Sequence, residues 1–327
     1  MPQMSYLQAI REGIREEMER DDRVMILGED VGAKGGVFGV TEGLQKQFGE
    51  YRVLDSPLAE SCIVGVAIGA ALNGMRPIAE IQFQDFILPA VDQIISEAAK
   101  MRYRSNGDWG VPMVLRSPFG GGVHGALYHS QSIEAIFCHI PGLRVVVPST
   151  PHDAKGMIIA ALREPDPVLY FEHKRAYRAI KGEVPEGDYT VPLDRAQIVR
   201  DGEDIAVFTY GMMVHIALEA AERLSADGFE CEIVDLRALR PLDRTAIVSS
   251  ARKCGKVLVL QEANLSVSVA SEVAAIVAED CFDYLDAPVM RLGGLEVPAM
   301  PYSPPLEKAY MITPDKAEMA LRELAAY

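Results

Sequence analysis

Strand-like and helix-like segments alternate in both halves of the chain, which predicts two doubly wound α/β domains with largely parallel sheets. Two series and one break carry this reading. In the first half the apolar runs "RVMIL", "YRVLD", "RPIAEIQF", "PMVLRSP", "LRVVVPS" and "PVLYFEH" recur, most of them separated by helical segments. From Asp204 a second series runs "DIAVFTYG", "VHIALEAAERLSADG", "ECEIVDL", "RTAIVSSARKCG", "KVLVLQE", "VASEVAAIVAEDCF" and "PVMRL", strand and helix by turns. Between them lies "IKGEVPEGDYTVPLDRAQIVRDGED", polar and punctuated by glycine and proline, as a linker would be. The predicted organisation is a first domain over 1–182, a linker over 183–203 and a second domain over 204–327. A chain of 327 residues has length for two such cores.

The first helix is announced by Ser5 and Gln8, which have capping-box spacing. Leu7, Ile10, Ile14 and Met18 then recur at helical intervals. "SCIVGVAIGAALNGM" is apolar on all sides and rich in small residues, so a buried helix closely approached by its neighbours is predicted. Thr150, Pro151 and Asp153 form a helix start: a cap, a proline in the first turn and an acid at the third position.

Composition removes several function classes. The net charge is −15, whereas nucleic-acid and anionic-membrane surfaces need a basic face. The local basic stretch "HKRAYR" (173–178) reads as a solvated or partner-facing loop. The acidic, helical opening lacks the pattern of a signal peptide, and the longest apolar run, "CIVGVAIGAAL", is too short to span a bilayer. Cys62, Cys138, Cys231, Cys254 and Cys281 lie far apart with no C-x-x-C, as free thiols in a reducing cytoplasm would.

"GGGVHGALYHSQS" (120–132) is the first candidate site. Gly120, Gly122 and Gly125 spell G-x-G-x-x-G, but Pro118 and Phe119 intervene after the strand and no helix is expected at Gly125. The position twenty residues on is Val145, not an acid, so a dinucleotide site is not predicted. His124 and His129 are five apart, do not share a helix face and have no flanking ligand, which argues against a metal. Ser130 could cap a helix continuing with Ile133, Ile136, Phe137 and Ile140. His129 would then precede a helix N-terminus, where the dipole disfavours imidazolium and suits proton exchange near neutrality. A loop histidine bonded to backbone satisfies the same spacing.

"LDSPLAESCIVG" (54–65) is the second candidate. A strand ends at Asp55, Ser56 and Pro57 turn the chain, and Glu60 precedes the apolar helix. Ligands in α/β proteins gather at the C-terminal ends of parallel strands. Glu60 can therefore be a partly desolvated acid that shares a proton, or simply an acid favoured by a helix start.

These two stretches, with "AEIQFQDFILPAVDQIISEAAKMRYRS" (79–105), "ILGEDVGAKGGVFGVTEGL", "PGLRVVVPSTPHDAKG" and "EIVDLRALRPLD", resemble a known family over essentially the whole chain. It is that of the β chains of the thiamine-diphosphate-dependent decarboxylating component of 2-oxo acid dehydrogenase complexes. Within it, "GGGVHGALYHSQSIEAIF" and "EIQFQDFILPAVDQI" look most like the branched-chain 2-oxo acid enzyme, with the pyruvate enzyme next.

The resemblance implies a pyrimidine-binding thiamine-diphosphate domain followed by a transketolase C-terminal-like domain. It makes Glu60 the acid that hydrogen-bonds the pyrimidine ring nitrogen and drives the 4′-amine toward its imine form. It puts Phe86 against the pyrimidine, Leu58 beside the cofactor, and His129 as the acid that protonates a sulfur when the acyl group reaches the lipoyl disulfide. His124 could orient the loop or substrate. A potassium ion is implied at Met113, Val114, Ala161, Glu164 and Asp166, the last standing where the family commonly has asparagine.

The chain lacks G-D-G, and its asparagines, Asn73, Asn106 and Asn264, are not adjacent. The resemblance therefore assigns the diphosphate and its Mg²⁺ to an α subunit in an α2β2 assembly. The second domain would serve assembly and docking to a lipoyl-bearing dihydrolipoyl acyltransferase core, with Glu262 an interface or structural residue.

Overall fold

The computed structural model describes residues 2–327 and divides into two units. The first runs to Phe119 and resumes over Ile136–Leu193; the second comprises Gly120–Ala135 and Asp194–Tyr327.

In the first unit β1 (Gln3–Ser5) leads into α1 (Tyr6–Arg20), where Ser5 and Gln8 close the expected capping box. The next strands are β2 (Val24–Gly28), β3 (Val53–Asp55), β4 (Arg76–Glu80), β5 (Val114–Phe119), β6 (Arg144–Val146) and β7 (Val168–His173). They lie side by side in the order β6-β7-β5-β4-β2-β3, every pair parallel. Every residue of β2, β5 and β7 is buried, on both faces of the sheet, which explains why their sequences do not alternate apolar with polar residues. The helices that accompany these strands are α2 (Leu44–Phe48), α3 (Glu60–Leu72), α4 (Met101–Arg104), α5 (Glu134–Cys138), α6 (Pro151–Arg163) and α7 (Ala176–Ala179). Thr150 caps α6 as read from the sequence, its side chain accepting the Asp153 N–H.

Four expectations need correction. The stretch 183–203 is not a free tether: β8 (Lys181–Glu183) pairs antiparallel with β1, and Val184, Val191 and Leu193 are buried. The basic stretch 173–178 is not solvated at its start, because His173 ends β7 inside the unit and Lys174 stands 5.3 Å over the Phe83 ring. Helix α3 forms as predicted, but Cys62, Gly65 and Val66 leave one side of it exposed. A sequence apolar all round marks no direction, so it cannot say which face its own chain covers. Finally, Ser130 caps no helix. α5 begins at Glu134, and of the four residues assigned to its apolar face only Phe137 is buried.

In the second unit β9 (Gln197–Arg200), β10 (Ile205–Thr209), β11 (Cys231–Asp235), β13 (Val257–Asn264) and β14 (Met290–Gly294) form a sheet; β12 (Ala238–Arg240) follows β11 in the chain. Its order is β14-β13-β10-β11-β9, parallel except for β9, which runs antiparallel to β11. The helices are α8 (Met212–Ser225), α9 (Arg244–Cys254), α10 (Val269–Cys281), α11 (Pro304–Tyr310) and α12 (Pro314–Ala325). Among the described residues no helix is long and apolar enough to cross a membrane.

Candidate functional site

In the first unit three parallel strands end in register. Gly28 pairs with Asp55 on one side and with Glu80 on the other, so the loops after β2, β3 and β4 leave from one edge. Gly28 must be glycine there, since a Cβ would lie 2.7 Å from the Glu80 carbonyl oxygen. Asp55 ties two of these loops together by accepting the Gly32 N–H at 2.7 Å.

Glu60 is the first residue of α3 and half-buried. Ala59 at the cap position makes no side-chain hydrogen bond, so a carboxylate is the favourable neighbour for the exposed N–H groups. Glu29, in the loop after β2, is the acid whose carboxyl is pushed upward, first by burial, then by the charges of Glu60 and Asp30. Glu29 is a candidate residue beyond those expected from the sequence. Its local signal is an acid directly after a fully apolar strand, "VMILGE", whereas Glu60 is marked by the turn after β3 and the apolar helix that follows it.

Aromatic rings follow from the loop after β4. Phe86 is half-buried and meets Phe83 edge-on, with centroids 5.6 Å apart; Phe83 in turn meets Phe38 at 5.5 Å. Leu58, in the turn before α3, is 76% exposed, far more than an ordinary aliphatic core residue. Ser56, two positions earlier, keeps a buried hydroxyl oxygen with no hydrogen-bond partner. An acid at the start of α3, a ring edge, an exposed aliphatic side chain and an unsatisfied hydroxyl, all in the segments that follow these strand ends, are the kinds of group that suit a flat heteroaromatic ring such as a pyrimidine.

The same unit contains a buried ionic cluster. Arg116 on β5 donates to Glu80 and, through two nitrogens at 2.6 and 2.7 Å, to Glu172; Tyr177 donates its hydroxyl to Glu172. Burial pushes the Glu80 carboxyl up, and the Arg116 charge opposes it.

The residues expected to hold potassium are engaged within the chain. Met113 O accepts the Val168 N–H and Ala161 O the Glu164 N–H, while Val114 lies in the β5 ladder. Arg76 donates to the carbonyls of Leu162 and Glu164, at 2.8 and 3.0 Å. The Glu164 carboxylate pairs with Arg144, and Asp166 accepts both of its short bonds, 2.6 and 2.8 Å, from the Arg102 Nε. Both carboxylates are thus paired with arginines, while the Met113 and Ala161 carbonyls, each accepting one N–H, keep a second lone pair. Among the described residues no group of three or more His, Cys, Asp or Glu side chains converges to hold a metal.

The glycine loop belongs to the second unit. Gly120 and Gly122 have φ of +86° and +76°, and His124 and Ala126 are also left-handed, at 57° and 55°. Holding non-glycine residues there costs free energy that the surroundings must supply. Two buried carboxylates do so. Glu262 accepts the Gly121 N–H at 2.6 Å, and Glu307 accepts the His124 N–H at 3.1 Å while its other oxygen faces the His124 Nδ1 at 2.5 Å. Glu262 is thus a loop anchor, and Glu307 is a second anchor the sequence did not suggest; neither has a local signal, since their partners lie 141 and 183 residues away.

One 3-10 turn, Ala126–Tyr128, follows Gly125, and half-buried His129 comes after it. α5 starts only at Glu134, so the helix-dipole argument for His129 does not hold. What His129 does have is a fixed backbone. A Cβ on Gly125 would lie 2.6 Å from the His129 carbonyl oxygen and 2.9 Å from the Ser130 Oγ, so the loop folds against itself at a point only glycine allows.

Residues 2–180 match the family described as transketolase, pyrimidine binding domain, and residues 194–317 match transketolase, C-terminal domain. The chain is 62% identical to the 2-oxoisovalerate dehydrogenase subunit beta of Bacillus subtilis (strain 168), over the full length of both. It is 48% identical to the pyruvate dehydrogenase E1 component subunit beta of the same organism, covering 89% of this chain and 90% of that one. The beta subunit of an acetoin:2,6-dichlorophenolindophenol oxidoreductase from the same organism is 45% identical, over 98% and 97% of the two chains. A solved structure described as a split gene transketolase, inactive beta4 tetramer, superimposes with a TM-score of 0.80 over 99% of this chain and 98% of that one. At 23% identity it shows the fold alone.

Proposed function

The chain belongs to the β-subunit family of the thiamine-diphosphate-dependent 2-oxo acid dehydrogenases, and from that premise we propose that it serves the oxidative decarboxylation of branched-chain 2-oxo acids. The observation that carries the substrate is the 62% identity over both full chains to a 2-oxoisovalerate dehydrogenase subunit, against 48% to a pyruvate dehydrogenase subunit. Thiamine diphosphate, when bound, supplies the electron sink for decarboxylation. Glu60 hydrogen-bonds the pyrimidine nitrogen and shares a proton with it, and Glu29, its carboxyl pushed upward first by burial, is a second acid at the same edge. Phe86 and Leu58 flank the ring and exclude water. His129 delivers a proton during acyl transfer to the lipoyl disulfide, on a loop pinned by Glu262 and Glu307.

The diphosphate and its Mg²⁺ are held by an α subunit in an α2β2 assembly. Leu58, Val66 and Leu88, exposed apolar side chains of the first unit, are of the kind a partner chain covers. The acyl group passes to a lipoyl-bearing dihydrolipoyl acyltransferase core.

The test compares pyruvate with 3-methyl-2-oxobutanoate in the enzyme reconstituted from α and β chains. A hydrophobic acyl pocket that has lost two methyl contacts should favour the branched substrate in kcat/KM by ~10-fold or more. Equal or better use of pyruvate overturns the substrate assignment. Turnover by this chain without an α subunit overturns the shared site.

A further inference from the structure

Glu134, the first residue of α5, is completely buried. One carboxyl oxygen accepts a 2.6 Å hydrogen bond from the Tyr210 hydroxyl; the other, Oε2, is buried without any hydrogen-bond partner. A carboxylate kept dry with a bare oxygen is costly unless it takes up a proton. The groups acting on it are Tyr210, just after β10, its own backbone N–H and then Glu262, on β13, and none brings a full positive charge. Glu262 is the residue that holds the Gly121 N–H.

We infer that Glu134 is a positioning residue: held as a neutral acid, it lets the Glu262 carboxylate keep its grip on Gly121 and so fixes the glycine loop that carries His129. Ionised, it sets a second buried negative charge against Glu262, and that repulsion is relieved most readily by releasing the exposed loop rather than the sheet. Burial pushes the Glu134 carboxyl up to about 7; the Tyr210 hydroxyl and Glu134's own backbone N–H oppose the rise, and the Glu262 charge adds to it. The switch therefore lies in the range where an acyl-transfer enzyme works. The functional consequence rests on the role proposed for His129; the mechanical one does not.

The experiment is hydrogen–deuterium exchange on the α/β holoenzyme between pH 6 and 8.5, with rates corrected for intrinsic exchange. In the wild type, protection of the Gly121 and His124 amides should fall by roughly tenfold or more across that range, following ionisation of one group. Glu134→Gln should keep the protection at every pH. The same fall in Glu134→Gln, or none in the wild type, overturns the inference. If Glu134→Gln does not fold, Tyr210→Phe replaces it. Removing a hydrogen bond to the carboxylate should move the fall to higher pH, and an unmoved midpoint is equally fatal. His129→Asn is assayed separately for acyl transfer, and full transfer there would sink the histidine's role while leaving the exchange result to stand or fall by itself.

Discussion

Substituting Gly125 by alanine probes the histidine loop at one atom. Gly125 has φ −79° and ψ −12°, which any residue adopts, so the backbone exacts no penalty and the cost is purely steric. The new Cβ would stand 2.6 Å from the His129 carbonyl oxygen, 2.8 Å from the His129 Cβ and 2.9 Å from the Ser130 Oγ. The Ser130 Oγ can rotate away about χ1, but the first two neighbours are a backbone oxygen and a Cβ and cannot swing aside. Opening the first contact from 2.6 to an ordinary 3.4 Å displaces His129 by about 0.8 Å. Misplacement of a reacting group by ~1 Å costs on the order of 10²-fold in rate, so transfer of the acyl group to a lipoyl acceptor should fall by roughly 10- to 100-fold. Overpacking should lower stability by only about 1–3 kcal/mol. Decarboxylation read with an artificial dye acceptor bypasses the lipoyl step and should change far less. Loss in transfer alone supports the assignment. Transfer within twofold of the wild type, with the protein folded, refutes the claim that His129 works from this fixed backbone.

Glu60→Gln keeps shape and removes the proton. In the reconstituted enzyme kcat should drop on the order of 10²–10⁴-fold, with melting changed by about 0.5 kcal/mol or less, and retained turnover would show that the acid merely starts a helix. Arg116→Met strands Glu80 and Glu172 without their cation, so denaturant unfolding should report a loss of about 3–5 kcal/mol, and a neutral result would mean that neither acid is charged in the fold. Glu134 binds its proton more tightly folded than unfolded. Its contribution to stability is therefore complete below the unfolded value of 4.5 and is lost as pH rises to about 7, by about 3 kcal/mol in total. Unfolding free energies measured at pH 5 and 8 should differ less in Glu134→Gln than in the wild type by about that amount.

Much of this protein is written locally. The alternation of apolar runs and helical segments, the Ser5–Gln8 capping box and the Thr150 cap depend on residues a few positions apart, and all three appear in the structure as read. The edge that carries Glu60 was legible for the same reason, because a strand, a turn and an acid are consecutive. The acid read next to an apolar run had an unread twin in Glu29, whose distance from Glu60 is set by the pairing of β2 with β3.

The remainder is decided only when distant segments meet. Glu262 and Glu307 anchor the glycine loop across 141 and 183 residues, and no periodicity encodes such a contact. Nor does local sequence say that α5 begins at Glu134, because the alternative start at Ser130 has acceptable capping chemistry; tertiary burial of Glu134 and Phe137 selects the later one. Lys174 reads as solvated by its charge, yet the fold lays its ammonium over the Phe83 ring. Short-range order follows from steric and hydrogen-bonding rules that act within a turn of the chain. Charges, by contrast, take their meaning from the dielectric around them, and that exists only once the chain has folded.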